Sequence, residues 1–210
     1  TETRNLAGDV ETFRNRAGET HTMTYDGSGR VLTRTTPEGV FAFQYNRAGE
    51  QTRAAFTPNG GAERWTAFDR DGYGRIIAER RWDGLNVSYE YDAAGNRTAI
   101  VWPDAWRAEY SYDPLNRMTE VRGGAPGSVV VLARYDYDAR SRRTQLRFGP
   151  NAAAPVSSIT YGWQADSDLE QLTHAFSGQN VTFTNSFDGS GRLTGQAASS
   201  PAWLWRPPAS

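Results

Sequence analysis

Acidic residues that recur at a fixed place in a repeated motif are the first candidates for chemistry. Asp26, Asp92, Asp113, Asp138 and Asp188 each follow an aromatic residue and precede Gly, Asn or Ser by three positions. Carboxylates can bind calcium, but calcium requires six to eight oxygens that converge on one point. One carboxylate in every 20 to 25 residues or so is instead spread along a sheet edge. We therefore interpret these aspartates as turn formers that accept hydrogen bonds from backbone N–H groups.

Tryptophan and histidine are the remaining candidates for a site. Trp82, Trp102 and Trp106 flank the outer turns and could stack on a sugar, although tryptophans in such positions more often cover the end of a hairpin. His21 and His174 lie far apart, and neither belongs to a nucleophile or metal motif. Cysteine is absent. We therefore predict a non-enzymatic chain with no catalytic residue, no cofactor and no metal.

Composition excludes several further classes. The 210 residues include 23 basic residues, all of them arginine, and 24 acidic ones, for a net charge of −1. This balance argues against a general nucleic-acid surface. There is no apolar run of about 18 residues that could span a membrane, and no signal peptide is recognised. Hydrophobic residues make up only 38% although aromatic residues reach 12%, a combination unusual for a compact enzyme domain.

An internal repeat organises the chain. It reads YDGSGR, YNRAGE, YDAAGNR, YDPLNR, YDARSR and FDGSGR, with FDRDGYGR as a degenerate copy and YGWQADSDLEQL at 161–172 as a decayed one. The turn positions recur about every 20 to 25 residues, and an arginine usually follows them. The repeat-defining residues are Tyr25, Asp26, Gly29, Arg30, Tyr45, Gly49, Gly74, Arg75, Tyr91, Asp92, Gly95, Arg97, Tyr112, Asp113, Asn116, Arg117, Tyr137, Asp138, Arg142, Phe187, Asp188, Gly191 and Arg192.

The segments before these turns alternate aromatic and polar residues, as in Phe41, Phe43 and Tyr45. Because successive side chains of a strand point to opposite faces, this pattern predicts a strand with one aromatic face. The turn then begins a second strand. We predict an all-β fold of about 8 to 9 antiparallel β-hairpin repeats over 1–195, irregular around 149–180, and a non-repeat tail over 196–210.

The Tyr-Asp-x-x-Gly-Arg unit resembles the YD repeat of the Rhs (recombination hot spot) family. This family includes bacterial polymorphic toxins, the B and C components of Tc toxins, and the teneurins. The resemblance covers residues 5–195 or so, and YDGSGR and YDAAGNR come near to the family consensus. It implies a curled or spiralling sheet that forms a hollow shell, which in toxin members encloses a C-terminal toxic domain.

Two departures from the family qualify this expectation. Toxin-bearing members carry a core segment rich in Asp-Pro-Gly that cuts itself with aspartates, whereas Asp113-Pro114 lies inside an ordinary repeat here. No toxin domain follows the repeats in this sequence. We therefore expect a segment of shell wall, either excised or from a shortened relative, with the rest of the shell and its toxin cargo as partners, and a secreted or bacterial cell-surface location.

Two other functions stay open from the sequence. The resemblance to teneurins allows a surface adhesion module that binds carbohydrate or a partner protein. Self-association is a third reading, because an open strip of sheet exposes unpaired strand edges that can accept another strand.

Overall fold

The computed structural model describes residues 2–151, 154–166, 168–176 and 178–199. Within these residues 18 β-strands are found and no helix long or apolar enough to cross a membrane. The strands are Glu2–Arg4 (β1), Val10–Arg14 (β2), Thr20–Tyr25 (β3), Val31–Thr36 (β4), Gly39–Tyr45 (β5), Gln51–Pro58 (β6), Arg64–Arg70 (β7), Ile76–Arg81 (β8), Val87–Tyr91 (β9), Arg97–Val101 (β10), Arg107–Tyr112 (β11), Met118–Gly124 (β12), Val130–Tyr137 (β13), Arg143–Phe148 (β14), Ser157–Trp163 (β15), Leu169–Phe176 (β16), Gln179–Phe187 (β17) and Leu193–Ser199 (β18).

The chain divides into two compact units, one of Thr1–Glu90 with Ile100–Ala105 and the other of Tyr91–Ala99 with Trp106–Ser210. In the first unit, β1 to β8 form an antiparallel meander in which each strand pairs with the next. In the second unit, β11 to β18 do the same. The all-β architecture of antiparallel hairpins predicted from the sequence is confirmed.

The alternation of residue types explains the pairing. Phe41 on β5 lies opposite Phe56 on β6, and their ring centroids are 4.5 Å apart. Cross-strand aromatic pairs of this kind contribute roughly 0.2–1 kcal/mol each. Ala42 and Gln44, which alternate with the aromatic residues along β5, face the other side of the sheet.

The buried residues are small. Ala55, Ala99, Ala108, Ala133 and Leu146 are the buried apolar residues among those described, and no large side chain in that part of the chain is fully buried. The aromatic rings instead lie half-exposed against their neighbours on the sheet. Each ladder therefore depends on cross-strand contacts and side chain–backbone hydrogen bonds more than on a deep core.

The boundaries differ in detail from those expected. Strand β18 continues to Ser199, beyond 195. The stretch expected to be irregular, 149–180, contains the paired strands β15 and β16, preceded by a long connection in which Val156 N–H donates to Phe148 O at 2.9 Å. Residues 200–210, most of the expected tail, lie outside the described residues.

Candidate functional site

One five-residue turn recurs along the chain and alternates, over most of its length, with connections of other kinds. In the turn at 26–30, Asp26 N–H donates to Arg30 O at 2.9 Å and Gly29 N–H donates to Asp26 O at 3.0 Å. The Asp26 carboxylate uses Oδ1 to accept from the N–H groups of Ser28 and Arg30, at 2.8 and 3.0 Å. Its Oδ2 accepts from Arg30 Nε at 2.6 Å. The aspartate thus closes the turn and also orients the arginine.

Four other turns repeat this side-chain pair, with Nε–Oδ2 distances of 2.6 to 2.8 Å. They are Asp71–Arg75, Asp113–Arg117, Asp138–Arg142 and Asp188–Arg192.

The two NRAGE copies, at 15–19 and 46–50, have the same turn geometry, but the first side chain now donates to the fifth instead of accepting from it. Asn46 accepts from Glu50 N–H through Oδ1 at 2.9 Å and donates from Nδ2 to the Glu50 carboxylate at 2.7 Å. The turn that begins at Asn15 does the same with Glu19. The amide is now the first residue and the carboxylate the fifth. Asp-Arg and Asn-Glu are therefore two complementary pairs for one site.

The copy at 92–96 places its arginine outside the turn. Asn96 occupies the fifth position and donates from Nδ2 to Asp92 Oδ2 at 2.9 Å. Arg97 is the next residue and begins β10. YDAAGNR has one residue more between the glycine and the arginine than YDGSGR has. The arginine therefore lies one position later, which the sequence already shows as a separation of two residues between Gly95 and Arg97.

The fourth position of each turn has a left-handed backbone. Gly29, Gly49 and Gly74 have φ between 77° and 87°, a region where glycine has no steric penalty. Asn116 and Ser141 occupy the same place with φ of 60° and 63°. A register shift precedes most of these turns, as between Thr24 and Tyr25, although the turn at 15–19 has none. Such a shift is typical of a hairpin with a bulge.

Arginine also joins consecutive turns. Arg117 Nη1 donates to Asp138 O in the next turn at 3.0 Å, and its guanidinium carbon lies 4.8 Å from the centre of the Tyr137 ring. Arg30 relates to Asn46 and Tyr45 in the same way, at 3.3 and 4.8 Å. Each such arginine therefore binds its own turn, the backbone of the next turn and an aromatic face.

The repeat tyrosine forms a further hydrogen bond between consecutive turns. We call the contacts that the arginine and the tyrosine make between two turns a joint. Tyr137 donates its hydroxyl to Met118 O at 2.8 Å, and Tyr45 donates to Val31 O at 3.0 Å. In each case the acceptor is the first residue after the preceding turn. Tyr25 and Tyr112 make the equivalent bonds, to Val10 O and Arg97 O.

Degenerate repeats fill the tyrosine position with other donors. Trp163 donates from Nε1 to Arg143 O at 2.8 Å, and Arg70 donates to Gln51 O at 3.3 Å. Where phenylalanine stands at 187, Asn185 donates to Leu169 O at 2.7 Å. Sequence reasoning did not single out Asp71, Arg70 or Asn185. The Asp-x-x-Gly-Arg spacing would have revealed Asp71.

Hydrogen bonding lowers the pKa of the turn carboxylates. For Asp26 and Asp188 the largest cause is the backbone N–H of the fifth residue, Arg30 or Arg192. For Asp138, burial raises the pKa, but the backbone N–H and guanidinium of Arg142 outweigh it and the pKa is lowered. These aspartates are therefore held as carboxylates that accept hydrogen bonds.

The histidines lie in separate surroundings. His21 is buried, stacks on Phe13 with ring centroids 4.7 Å apart, and has Arg34 Nη2 3.3 Å from Nδ1. His174 Nε2 lies 2.9 Å from Ser157 Oγ, which also donates to Ala175 O at 3.0 Å. In the part of the chain that the structure describes, no three His, Asp or Glu side chains are grouped as a metal site would require.

The three tryptophans flanking outer turns have different surroundings. Trp82 is 47% exposed and contributes to a shallow depression of about 530 Å³ in the first unit. Trp106 covers Gly123, where an added Cβ would lie 2.7 Å from the tryptophan ring. Trp102 begins a turn in which Ala105 N–H donates to its carbonyl at 2.9 Å. Of these three, only Trp82 belongs to that depression.

The depression is lined by aromatic and arginine side chains from β5 to β8 and the residue after β8. Its lining comprises Phe41, Phe43, Ala54, Ala55, Phe56, Arg64, Trp65, Thr66, Arg81 and Trp82.

These features define the class of protein: a β-meander built from Tyr-Asp hairpin repeats, in which arginine and tyrosine join one turn to the next. Comparison with solved structures agrees. The chain is similar to the crystal structures of TcdB2-TccC3-Cdc42 (TM-score 0.55, 22% identity) and of TcdB2-TccC3 without its hypervariable C-terminal region (TM-score 0.54, 21% identity). Each match covers 95% of this chain and 11% of the other chain.

A similar curated protein is double-stranded DNA deaminase toxin A of Burkholderia cenocepacia (strain H111). It is 32% identical over 129 residues, which are 59% of this chain and 8% of that protein. The chain thus spans only about a tenth of the length of these three proteins. No family model matches it.

The resemblance to YD repeats in the sequence is consistent with these comparisons. The fold is that of the Tc-toxin TcdB2-TccC3 structures, and the sequence similarity to a toxin is consistent with a toxin-associated repeat module.

Proposed function

We propose that this chain is a structural segment of the wall of an Rhs-type toxin shell, which encapsulates or presents a C-terminal toxic domain. The observation that carries the proposal is the joint between turns. Arg117 bonds to Asp113 in its own turn and to Asp138 O in the next, while Tyr137 bonds back to Met118 O. Such joints suit a long wall assembled from one repeated unit.

The proposal assigns no catalytic residue to the described part of the chain. The turn aspartates accept hydrogen bonds from N–H donors, and the Ser157–His174 pair shares its hydroxyl with a backbone carbonyl. In this proposal any enzymatic activity of the toxin belongs to the cargo. The partners are the rest of the shell and that cargo, and the location is secreted or on the bacterial cell surface.

The half-exposed aromatic faces also support a wall role. Because no large side chain among the described residues is fully buried, contacts with further repeats would bury aromatic surface and add stability. The similarity to TcdB2-TccC3 and to the deaminase toxin, each covering about a tenth of the larger protein, favours the same reading.

Limited proteolysis of the longest polypeptide encoded by the gene tests the proposal. We expect a C-terminal domain that resists protease in the intact protein and becomes sensitive when Arg117 and Arg142 are both replaced by Ala. Arg47→Ala, at an exposed turn position, is the matched control and should leave protection intact. A gene that encodes no further domain, or a C-terminal domain that is digested equally in all three proteins, would contradict the proposal.

A surface adhesion module that binds carbohydrate or a partner protein is the second candidate. The exposed Trp82 beside the depression favours it. Glycan-array binding that disappears with Trp82→Ala would support this role, whereas absence of binding to every glycan would count against the carbohydrate form of it.

A further inference from the structure

The depression in the first unit is built from two rows of cross-strand neighbours. In one row Phe41 lies opposite Phe56, which lies opposite Arg64. In the other, Ala54 lies between Phe43 and Thr66, and Thr66 lies opposite Arg81. Residues directly opposite each other share a face of the sheet, so apolar groups and guanidinium groups stand side by side.

The first row continues in the other direction to a second arginine. Arg34 on β4 lies opposite Phe41, so the order across four strands is Arg34, Phe41, Phe56, Arg64. Neighbouring strands are about 4.8 Å apart, which places the two arginine backbones about 14 Å from each other. An apolar centre is therefore flanked by two cations.

Arg64 is the least compensated charge in this arrangement. Arg81 is paired with Asp83 at 2.7 Å, and Arg34 interacts with His21 and, through its charge, with Glu38. The Arg64 guanidinium lies 5.6 Å from the centre of the Trp82 ring. Among the described residues no carboxylate lies within ion-pair distance of it. Arg64 therefore presents its charge at the depression, supported by an aromatic ring.

The hydrogen-bonding groups of the lining favour one class of ligand over another. Except for the Thr66 hydroxyl, the polar side chains on this face of the depression, those of Arg64 and Arg81, can only donate hydrogen bonds, and so can the indole of Trp82. A neutral sugar brings many hydroxyl donors, for which this lining offers one side-chain acceptor. A carboxylate brings acceptors alone, and an adjoining apolar side chain would cover the phenylalanines. A volume of about 530 Å³ lies within the ordinary range of ligand sites.

We propose that this depression is a docking site for a peptide segment that carries an apolar side chain next to a carboxylate, with Arg64 binding the carboxylate and Phe41 and Phe56 contacting the apolar group. Arginine and tryptophan are the residues that most often dominate such interfaces. The inference does not depend on the shell proposal, because it rests on the first unit alone.

An NMR titration of the full chain with the peptide acetyl-Glu-Phe-Leu-Glu-amide tests it. We expect saturable shifts at the amides of Phe56, Arg64 and Thr66 and at the Trp82 indole. Arg64→Gln should weaken binding about fivefold or more. Replacing both glutamates of the peptide by glutamine should have a similar effect on the wild-type chain. The glutamine peptide should bind the wild type and Arg64→Gln equally, since the charge contact is then missing from both.

Arg47→Gln removes the same charge at an exposed turn in the same unit and is the matched control, expected to change affinity less than about twofold. An unchanged unfolding midpoint for Arg64→Gln establishes that the sheet is intact. Equal binding of the acidic and amide peptides by the wild type, or unaltered affinity in Arg64→Gln, overturns the proposal. So does a titration in which cellohexaose shifts these signals and the acidic peptide does not.

Discussion

The hydroxyl of Tyr137 provides a way to measure one joint between repeats. Tyr137→Phe keeps the ring, so the Arg117 guanidinium retains its aromatic neighbour at 4.8 Å. The 2.8 Å hydrogen bond to Met118 O is removed, together with the interaction of the hydroxyl with the Arg143 side chain. A neutral hydrogen bond contributes about 0.5–1.5 kcal/mol net, and the loss is moderated here because Tyr137 is only half-buried and water can reach the site. We expect the free energy of unfolding to fall by about 1 kcal/mol.

For a chain of 210 residues, a change of 1 kcal/mol moves the melting temperature by about 2–4 °C. Thermal and urea unfolding followed by circular dichroism measure both quantities. Tyr73→Phe is the matched control, because Tyr73 is 88% exposed in the turn at 71–75. If the two variants unfold with the same midpoint, the tyrosine hydroxyl does not stabilise the joint and the role assigned to it is wrong.

Four further outcomes are expected from the turn and strand geometry. Ser141→Gly should raise the free energy of unfolding by about 1 kcal/mol, since Ser141 has φ of 63°; an unchanged urea midpoint would contradict the strain argument. Gly124→Ala should lower it by about 1–3 kcal/mol, because the added Cβ would overlap the carbonyl of Ser128; denaturant unfolding measures the loss. Asn185→Ala should destabilise the last hairpin, and Phe187→Tyr should restore it in the double variant by supplying a new hydroxyl to Leu169 O; failure of the rescue in a melting experiment would refute the equivalence. Because the pKa of Asp26 is lowered from 3.8, its contribution to stability is complete well above that value and is lost as pH falls below about 4; urea midpoints measured from pH 5 to pH 2.5 should fall less steeply for Asp26→Asn.

The local sequence pattern was sufficient to predict the strands and most of the turns. A strand such as β5 follows from alternation within seven residues, Gly39–Tyr45, because the backbone itself sets the two-residue period. The turn at Asp26–Arg30 is equally local, since the hydrogen bonds that close it join residues no more than four apart. Features of this kind depend only on residues that are close together in the sequence. They can be predicted without knowing which strands pair with each other.

Degenerate copies show where local reasoning failed. The turn at 71–75 has Gly74 and Arg75 at the expected spacing, but Arg70 precedes Asp71 where the other repeats have an aromatic residue, so Asp71 does not stand in a Tyr-Asp pair. The structure shows why this is tolerated: Arg70 donates to Gln51 O as the tyrosine hydroxyl does in other repeats. Likewise, Arg97 was assigned to a turn in which Asn96 holds the fifth position. In both copies a different residue type makes the hydrogen bond that the consensus residue makes in the other repeats.

The sequence by itself therefore determined the β-hairpin unit, its aromatic face and the Asp-Arg pair of the Asp-x-x-Gly-Arg type of turn, because these depend on neighbours along the chain. Only the tertiary structure decided which repeats are joined and how. The bond from Tyr137 to Met118 O and the row Arg34, Phe41, Phe56 and Arg64 depend on the register between strands. A slip of one residue would turn each of these side chains to the opposite face, and register is set by the bulges and turns acting together.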